Sequence, residues 1–142
     1  DPVHRRETRL VLEHGNYAAI HFNNGLHGWH LTDAEYEQGL ADYVALLREL
    51  APSAQLVWAS STPVTVVDEP GRLNEQKNAV VRRRNAVAAR VLAGAGLAIN
   101  DLYSLVVDRA ELKSNDGYHF NAEGQRLLGL AVAAVLRQTL SG

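Results

Sequence analysis

The first half of the chain alternates between helix-like and strand-like patterns of apolar residues. Residues 3–13 carry apolar positions among charges and are followed by a glycine, which predicts a short helix. Residues 17–23 form a compact apolar run of strand length. Apolar residues then recur at helical spacing over residues 32–50, where Thr32 and Glu35 have the spacing of a capping box. The pattern predicts a helix, a strand and a second helix in that order.

The second half continues the alternation. Residues 55–60 are a second apolar strand, and residues 62–72 contain two prolines and a glycine, which predicts a loop. A long helix is predicted over residues 73–92 and a short third strand over residues 97–99. Residues 122–140, rich in Leu, Val and Ala, predict a last helix that is expected to be largely buried. This order of elements is typical of an α/β fold, with helices on both faces of a parallel sheet.

Length and composition fit one globular unit. A chain of 142 residues with 46% hydrophobic and 21% charged residues is expected to form a single α/β domain over residues 1–142 rather than a disordered tail. The net charge of -2 gives no electrostatic reason to expect nucleic acid or an anionic membrane as a partner. No apolar run reaches the roughly 18 residues that a membrane span requires.

Two residue types are missing from the sequence. There is no cysteine, which excludes disulfides, thiolate metal sites and a cysteine nucleophile. There is also no methionine, so the chain is expected to be processed or cut from a longer one. The run Arg82-Arg83-Arg84 is interpreted as a solvated helix face rather than a phosphate site, because the chain as a whole is not basic.

Polar residues gather where the predicted strands end. Residues 21–30 are rich in His and Asn, residues 60–63 read Ser-Ser-Thr-Pro, and residues 115–121 lead into the last helix. In parallel sheets the carboxyl ends of strands meet at one rim, where ligands bind. Within this set, Asp116 and His119 are suited to act as a general base and the carboxylate that orients it. The alternative is a turn at Asp116 with His119 packed under the last helix.

Four segments together resemble a known family. Residues 116–124, Asp-Gly-Tyr-His-Phe-Asn-Ala-Glu-Gly, are similar to the last signature block of the SGNH hydrolases, also called GDSL-type esterases. Residues 20–28 resemble that family's Gly-x-Asn-Asp block, in the form Gly-Leu-His-Asp that one branch of the family has. Residues 59–63 and 98–103 fall where the family's fourth and fifth strands end.

The resemblance implies a three-layer, flavodoxin-like fold, of which this chain carries about three of five strands in the order 2-1-3-4-5. It implies a Ser-His-Asp triad in which His119 is the base and Asp116 orients it, acting on esters such as O-acetyl groups on carbohydrates. Asn24, His27 and backbone amides near Gly25 would stabilise the oxyanion. His27 takes the place of the family's oxyanion asparagine, and the choice between Asn24 and His27 stays open. The family needs no metal or organic cofactor.

The family's Gly-Asp-Ser block, which carries the nucleophile, is not found in these 142 residues. The resemblance therefore implies that the serine comes from a segment outside this chain. Strand 17–23 would then have an open, apolar edge, which is an aggregation hazard unless it is covered. A companion amino-terminal segment, or a second copy of the chain, is expected to cover it.

Three alternatives follow from the residues. Ser60 or Ser61 could be a nucleophile within the chain, although no Gly-x-Ser-x-Gly turn surrounds either. His27 and His30 could bind zinc if Asp116 or His119 supplied a third ligand. The chain could also be a non-catalytic module that binds a carbohydrate or a protein through residues such as Trp29 and Tyr118.

Overall fold

The computed structural model describes the backbone of residues 2–141 and the side chains of residues 5–141. The helices and strands, in chain order, are α1 (Pro2–Leu12), β1 (Ala19–Phe22), α2 (Asp33–Leu50), β2 (Gln55–Ala59), β3 (Thr65–Val66), β4 (Glu69–Leu73), α3 (Glu75–Gly94), β5 (Ala98–Asn100), α4 (Leu102–Val106) and α5 (Ala122–Ser141). A short 3-10 turn, Ala110–Leu112, lies between the last two helices.

The sheet confirms the predicted α/β class. Strands β1, β2 and β5 form a three-stranded parallel sheet in that order, with Phe22 opposite Trp58 and Trp58 opposite Ile99. The predicted capping box is also confirmed: the side chain of Thr32 accepts from the backbone of Glu35, whose carboxylate accepts from the backbone of Thr32 at 2.8 Å. The sheet therefore has the parallel topology that brings strand ends to one rim.

One face of the sheet carries the main core. Alternate residues Ile20, Phe22, Leu56 and Trp58 point to the same face and join the largest apolar cluster. The helical members of the cluster are Leu12, Tyr36, Leu40, Val44, Leu47, Val87, Ala88 and Leu92. Helices α2 and α3 thus cover this face, and α5 contacts all three strands of the sheet.

The last helix differs from its prediction. Residues 122–140 were expected to be largely buried, yet Gly124 is the buried residue of α5, and Leu130 and Leu140 are 53% and 54% exposed. The helix packs on a sheet of only three strands, so within the described residues much of its apolar surface has nothing to cover it. None of the described helices combines the length and apolar character needed to span a membrane.

Two other predictions were wrong. Most of the predicted loop at residues 62–72 belongs to the antiparallel hairpin β3–β4, whose two short strands pair Thr65 with Leu73. The arginine run is not uniformly solvated: Arg84 is completely buried, whereas Arg82 and Arg83 are exposed and lie near Glu75 and Asp33. On a helix, neighbouring residues point about 100° apart, so one arginine of the run turns inward.

Candidate active site

Asp116 and His119 are in direct contact at the start of α5. The Nδ1 of His119 shares a hydrogen bond with Oδ2 of Asp116, and the imidazole side chain is 82% exposed. Oδ1 of Asp116 accepts from the backbone N–H groups of Tyr118 and His119, at 2.9 and 2.8 Å, and from the hydroxyl of Ser114 at 2.9 Å. The imidazole hydrogen bond, followed by the backbone N–H groups, holds the pKa of Asp116 well below its usual range.

The local sequence explains why these two side chains meet. Gly117 has φ of +82°, a left-handed conformation that glycine adopts easily and that turns the chain back after Asp116. Lys113 and Phe120 form an antiparallel bridge that closes the turn. Asn121 then caps α5 by accepting from the backbone N–H of Gly124 at 3.0 Å. The Asp116–His119 pair is therefore held by its own turn.

The β3–β4 hairpin braces this turn from outside. The N–H of Thr65 donates to the carbonyl of Gly117 at 2.9 Å, and the N–H of Asp68 donates to the carbonyl of Asn115 at 2.7 Å. The hairpin thus satisfies two main-chain carbonyls that flank Asp116. A loop in this position would leave those carbonyls to solvent, so the hairpin restricts the turn that carries His119.

A buried lysine ties the same turn to the end of β2. Lys113 is 7% exposed, and its ammonium donates to the carbonyls of Pro63 at 2.6 Å and Tyr118 at 3.2 Å. Burial lowers the pKa of Lys113 to about 8, against the opposing effect of the Asp116 carboxylate. On the outer side, the ammonium of Lys77 contacts the hydroxyl and the ring of Tyr118.

The side-chain amide of Asn23 connects the loop after β1 to the end of β2 and to its own backbone. Asn23 donates to the carbonyl of Ala59 at 2.7 Å and to the hydroxyl of Ser61 at 3.1 Å, and its own carbonyl oxygen accepts from the N–H of Gly25 at 3.2 Å. The Gly25 N–H predicted to help bind an oxyanion therefore already has an acceptor. Gly25 also leaves room for Ser61, because a Cβ there would overlap the Ser61 side chain.

The two candidate oxyanion side chains differ in their surroundings. The carbonyl oxygen of Asn24 accepts from the hydroxyl of Tyr36 at 3.3 Å, which fixes the amide group. Burial raises the pKa of Tyr36 to about 12, so this hydroxyl stays protonated as a donor at ordinary pH. The side chain of His27 is exposed, and its backbone carbonyl accepts from Arg84 at 3.1 Å. Asn24 directly precedes the turn that carries His27.

The serines after β2 have structural partners. The Ser60 hydroxyl donates to Asp101 at 3.0 Å and accepts from the N–H of Tyr103 at 2.8 Å. Ser61 is 2% exposed, and its backbone N–H and carbonyl pair with the Asn85 side chain, both at 2.9 Å. Among the described residues neither hydroxyl hydrogen-bonds to His119, so the structure does not assemble a complete triad from this chain's own serines.

The histidine-rich segment does not form a metal centre in the part of the chain described. Across side chains 5–141, no three His, Cys, Asp or Glu residues come together in a group that could hold a metal ion. His21, predicted to be packed rather than ligating, contacts the Asn100 side chain at 3.2 Å, and burial lowers its pKa.

Four residues that order the site were not singled out as site residues from the sequence: Asn23, Arg84, Asn85 and Lys113. Each acts on main-chain groups of a distant loop, which no local spacing reveals. Asn23 lies inside the recognised His- and Asn-rich segment, and that position was the available signal for it. Arg84 lies in the arginine run that was interpreted as a solvated face, and Asn85 and Lys113 stand in no recognised motif.

The sequence also matches a known protein family. The sequence model of the GDSL-like Lipase/Acylhydrolase family matches residues 17–127, which include β1, the rim loops and the Asp116–His119 pair. The chain belongs to this family. A search of curated protein sequences finds no match.

Solved structures show the same fold at low sequence identity. A lipase/acylhydrolase from Enterococcus faecalis is 19% identical, with a TM-score of 0.70, and the alignment covers 97% of this chain and 69% of that one. The esterase domain of the ZfL2-1 ORF1 protein from a zebrafish retrotransposon is 18% identical, with a TM-score of 0.66 over 76% of this chain and 61% of that one. A peptidoglycan O-acetylesterase is 15% identical, with a TM-score of 0.71 over 95% of this chain and 41% of that one. The chain thus spans about two fifths to two thirds of these relatives' lengths.

Proposed function

We propose that this chain carries the histidine and aspartate of a serine ester hydrolase, and that a segment outside these 142 residues supplies the serine. The observation that carries the proposal is the Asp116–His119 pair. Its hydrogen bond occupies Nδ1 of the imidazole and leaves the exposed Nε2 as the atom able to accept a proton. Family membership supports the same chemistry.

The proposed reaction is acyl transfer in two steps. Nε2 of His119 takes the proton of the serine hydroxyl as the oxygen attacks the ester carbonyl, and then gives that proton to the leaving alcohol. A water molecule, activated by the same nitrogen, releases the acid and regenerates the serine. Asp116 stays ionised throughout, keeps the imidazole in the required tautomer and stabilises its positive charge. Asn24, His27 and amides of the turn at Gly25 would face the oxyanion.

The substrate is proposed to be an O-acyl ester, with O-acetyl groups on carbohydrates as the first class to test. The likeness to a peptidoglycan O-acetylesterase supports this choice. The exposed imidazole and the partly exposed Trp29 suit a bulky, hydrated alcohol better than a deeply enclosed one.

The open surface of the fold supports a companion segment. In the described residues β1 pairs only with β2, so its other edge lacks a strand partner. Helix α5 packs against the same sheet, but some of its apolar side chains, such as Leu130 and Leu140, remain exposed. A companion amino-terminal segment that adds strands beside β1 would cover both surfaces and bring a serine to the rim. A second copy pairing at the same edge is the alternative.

The direct test compares His119→Ala with His14→Ala, an exposed histidine outside the site. The chain is assayed together with its serine-bearing segment, using p-nitrophenyl acetate and an acetylated oligosaccharide. We expect His119→Ala to abolish hydrolysis and His14→Ala to leave it unchanged. Hydrolysis that survives His119→Ala would overturn the proposal. An intact-mass measurement of the native complex distinguishes a companion polypeptide from a second copy.

A second function is favoured by one observation: the serines after β2 are committed to other partners, and the sequence has no Gly-Asp-Ser block. Such a chain could bind a carbohydrate or protein at the rim through Trp29 and Tyr118 without hydrolysing it. Binding of an acetylated oligosaccharide that is unchanged in His119→Ala, without acetate release by the wild-type complex, would support this function.

A further inference from the structure

Outside the exposed Asp116–His119 pair, Arg84 is a charged side chain buried on the inner side of α3. Its side chain is fully buried, and no carboxylate pairs with it among the described residues. Buried charges are normally compensated by an ion pair or by several hydrogen bonds, because their desolvation is costly. Here the compensation comes entirely from main-chain carbonyls and aromatic rings.

All of these carbonyls belong to one turn. Nη1 of Arg84 donates to the carbonyls of Gly25 at 3.3 Å and His27 at 3.1 Å. Nη2 donates to the carbonyls of Gly28 at 2.7 Å and Leu31 at 3.4 Å. Arg84 therefore fixes the turn over residues 25–31, which carries the candidate oxyanion residues Gly25 and His27 and directly follows Asn24.

The rings of two aromatic side chains hold the guanidinium in place. Its central carbon lies 5.1 Å from the ring centre of Tyr36 and 5.8 Å from that of Trp29. Both distances allow cation–π attraction. Tyr36 also donates to Asn24, so the same cluster orients the side chain next to the turn.

The direction of the carbonyls has an electrostatic consequence. In a planar trans peptide the carbonyl and the following N–H point opposite ways. Because the carbonyls of Gly25, His27 and Gly28 point towards Arg84, the N–H groups of residues 26, 28 and 29 point away from it. No acceptor within the described residues hydrogen-bonds these three N–H groups. Their positive ends are aligned with the buried cation, which is the arrangement that stabilises an anion on the outer side of a turn.

We infer that Arg84 is a positioning residue for oxyanion stabilisation: it fixes the 25–31 turn with its amides outward and adds a buried positive charge behind them. This inference rests on the proposed ester hydrolysis. The charge is useful only when the carbonyl oxygen of the ester becomes an oxyanion, since the bound ester is neutral. Losing it is therefore expected to lower kcat more than it raises KM.

The test uses the chain together with its serine-bearing segment and three variants. Arg84→Lys keeps a charge but cannot reach several carbonyls, and Arg84→Met removes the charge at similar length. Arg83→Gln is the control, since Arg83 is exposed and pairs with Asp33 at 3.0 Å. With p-nitrophenyl acetate, we expect Arg84→Met to lower kcat by roughly 10²- to 10³-fold with KM changed by less than about threefold. Arg84→Lys should lie between Arg84→Met and wild type, and Arg83→Gln should match wild type.

The outcomes separate the inference from the function on which it depends. If His119→Ala is inactive while Arg84→Met keeps kcat within about threefold of wild type, the role of Arg84 is wrong and the hydrolase stands. Loss of kcat in Arg84→Met but full recovery in Arg84→Lys would show that charge alone matters, which overturns the positioning role. If Arg84→Met does not fold, the kcat and KM of Arg84→Lys decide the question: an unchanged kcat overturns the inference. Full activity of His119→Ala would refute both the function and the inference.

Discussion

Replacing Gly117 with alanine tests how tightly the Asp116–His119 turn is braced. Gly117 has φ of +82°, and a Cβ at this position would lie 2.5 Å from the carbonyl oxygen of Thr65. That oxygen belongs to the backbone of β3, which also donates its N–H to the carbonyl of Gly117 at 2.9 Å. The added methyl group therefore meets main chain, which cannot rotate out of the way as a side chain can.

The expected loss in the free energy of unfolding of Gly117→Ala has two parts. A left-handed conformation destabilises a residue with a Cβ by about 1–2 kcal/mol. Overlap with a well-packed neighbour adds about 1–3 kcal/mol, because the backbone must shift. Together these predict a loss of about 2–5 kcal/mol in the free energy of unfolding for Gly117→Ala.

Gly96 provides a matched control. Its φ is +72°, so alanine there has a similar conformational penalty, but no atom lies within 4 Å of the place that the added methyl group would occupy. Gly96→Ala should therefore lose only about 1–2 kcal/mol. The difference between the two variants isolates the contact with β3.

Urea unfolding, followed by circular dichroism, measures both losses at constant m-value. If Gly117→Ala is destabilised no more than Gly96→Ala, then β3 does not brace the turn, and the reasoning about the hairpin is wrong. In the proposed complex with a serine-bearing segment, Gly117→Ala should also lower kcat, whereas Gly96→Ala should not.

Three further predictions concern charge. Asp116→Asn should lower kcat by roughly 10⁴-fold, because an amide favours the wrong tautomer of His119, and a loss below tenfold in a p-nitrophenyl acetate assay would contradict this. Burial lowers the pKa of His21 in the folded chain, so the unfolded chain binds more protons below about pH 6.5 and the free energy of unfolding falls with acid. His21→Gln should therefore reduce the drop in Tm between pH 7 and pH 5, and an equal drop in the variant would contradict burial as the cause. Lys113 has a pKa of about 8 rather than 10.5, so unfolding takes up protons between those pH values and the free energy of unfolding should rise from pH 8 to pH 10. Lys113→Met should flatten that rise in urea unfolding, and an unchanged slope would contradict the lowered pKa of Lys113.

The sheet and the contact between Asp116 and His119 both have local signals in the sequence. The apolar runs that became β1 and β2 have the length and composition of buried strands. The turn between Asp116 and His119 is signalled by its own residues: an aspartate that accepts from the N–H groups two and three positions later, and a glycine at positive φ. Both features can be read within a short window.

The remaining errors come from contacts across the chain. Arg84 looks like its two arginine neighbours, and its burial depends on carbonyls 53 to 59 residues away. Residues 62–72 were interpreted as a loop because they contain Pro63, Pro70 and Gly71, and the pairing of β3 with Gly117 becomes visible only in three dimensions. The exposure of α5 has the opposite cause: its composition predicts burial, but the described part of the sheet is too narrow to provide it.

Helix α3 links these observations, because its buried and partly buried polar side chains hold separate parts of the rim. Arg84 binds the turn after β1, and Asn85 binds Ser61 after β2. Asn78 accepts from the N–H of Val64 at 3.1 Å, which leads into the hairpin that braces Gly117. All of these contacts lie within this chain, so they fix the two loops and the hairpin without the proposed serine-bearing segment. In the proposed hydrolase the companion segment would supply the nucleophile and cover β1, whereas contacts within this chain set the position of His119.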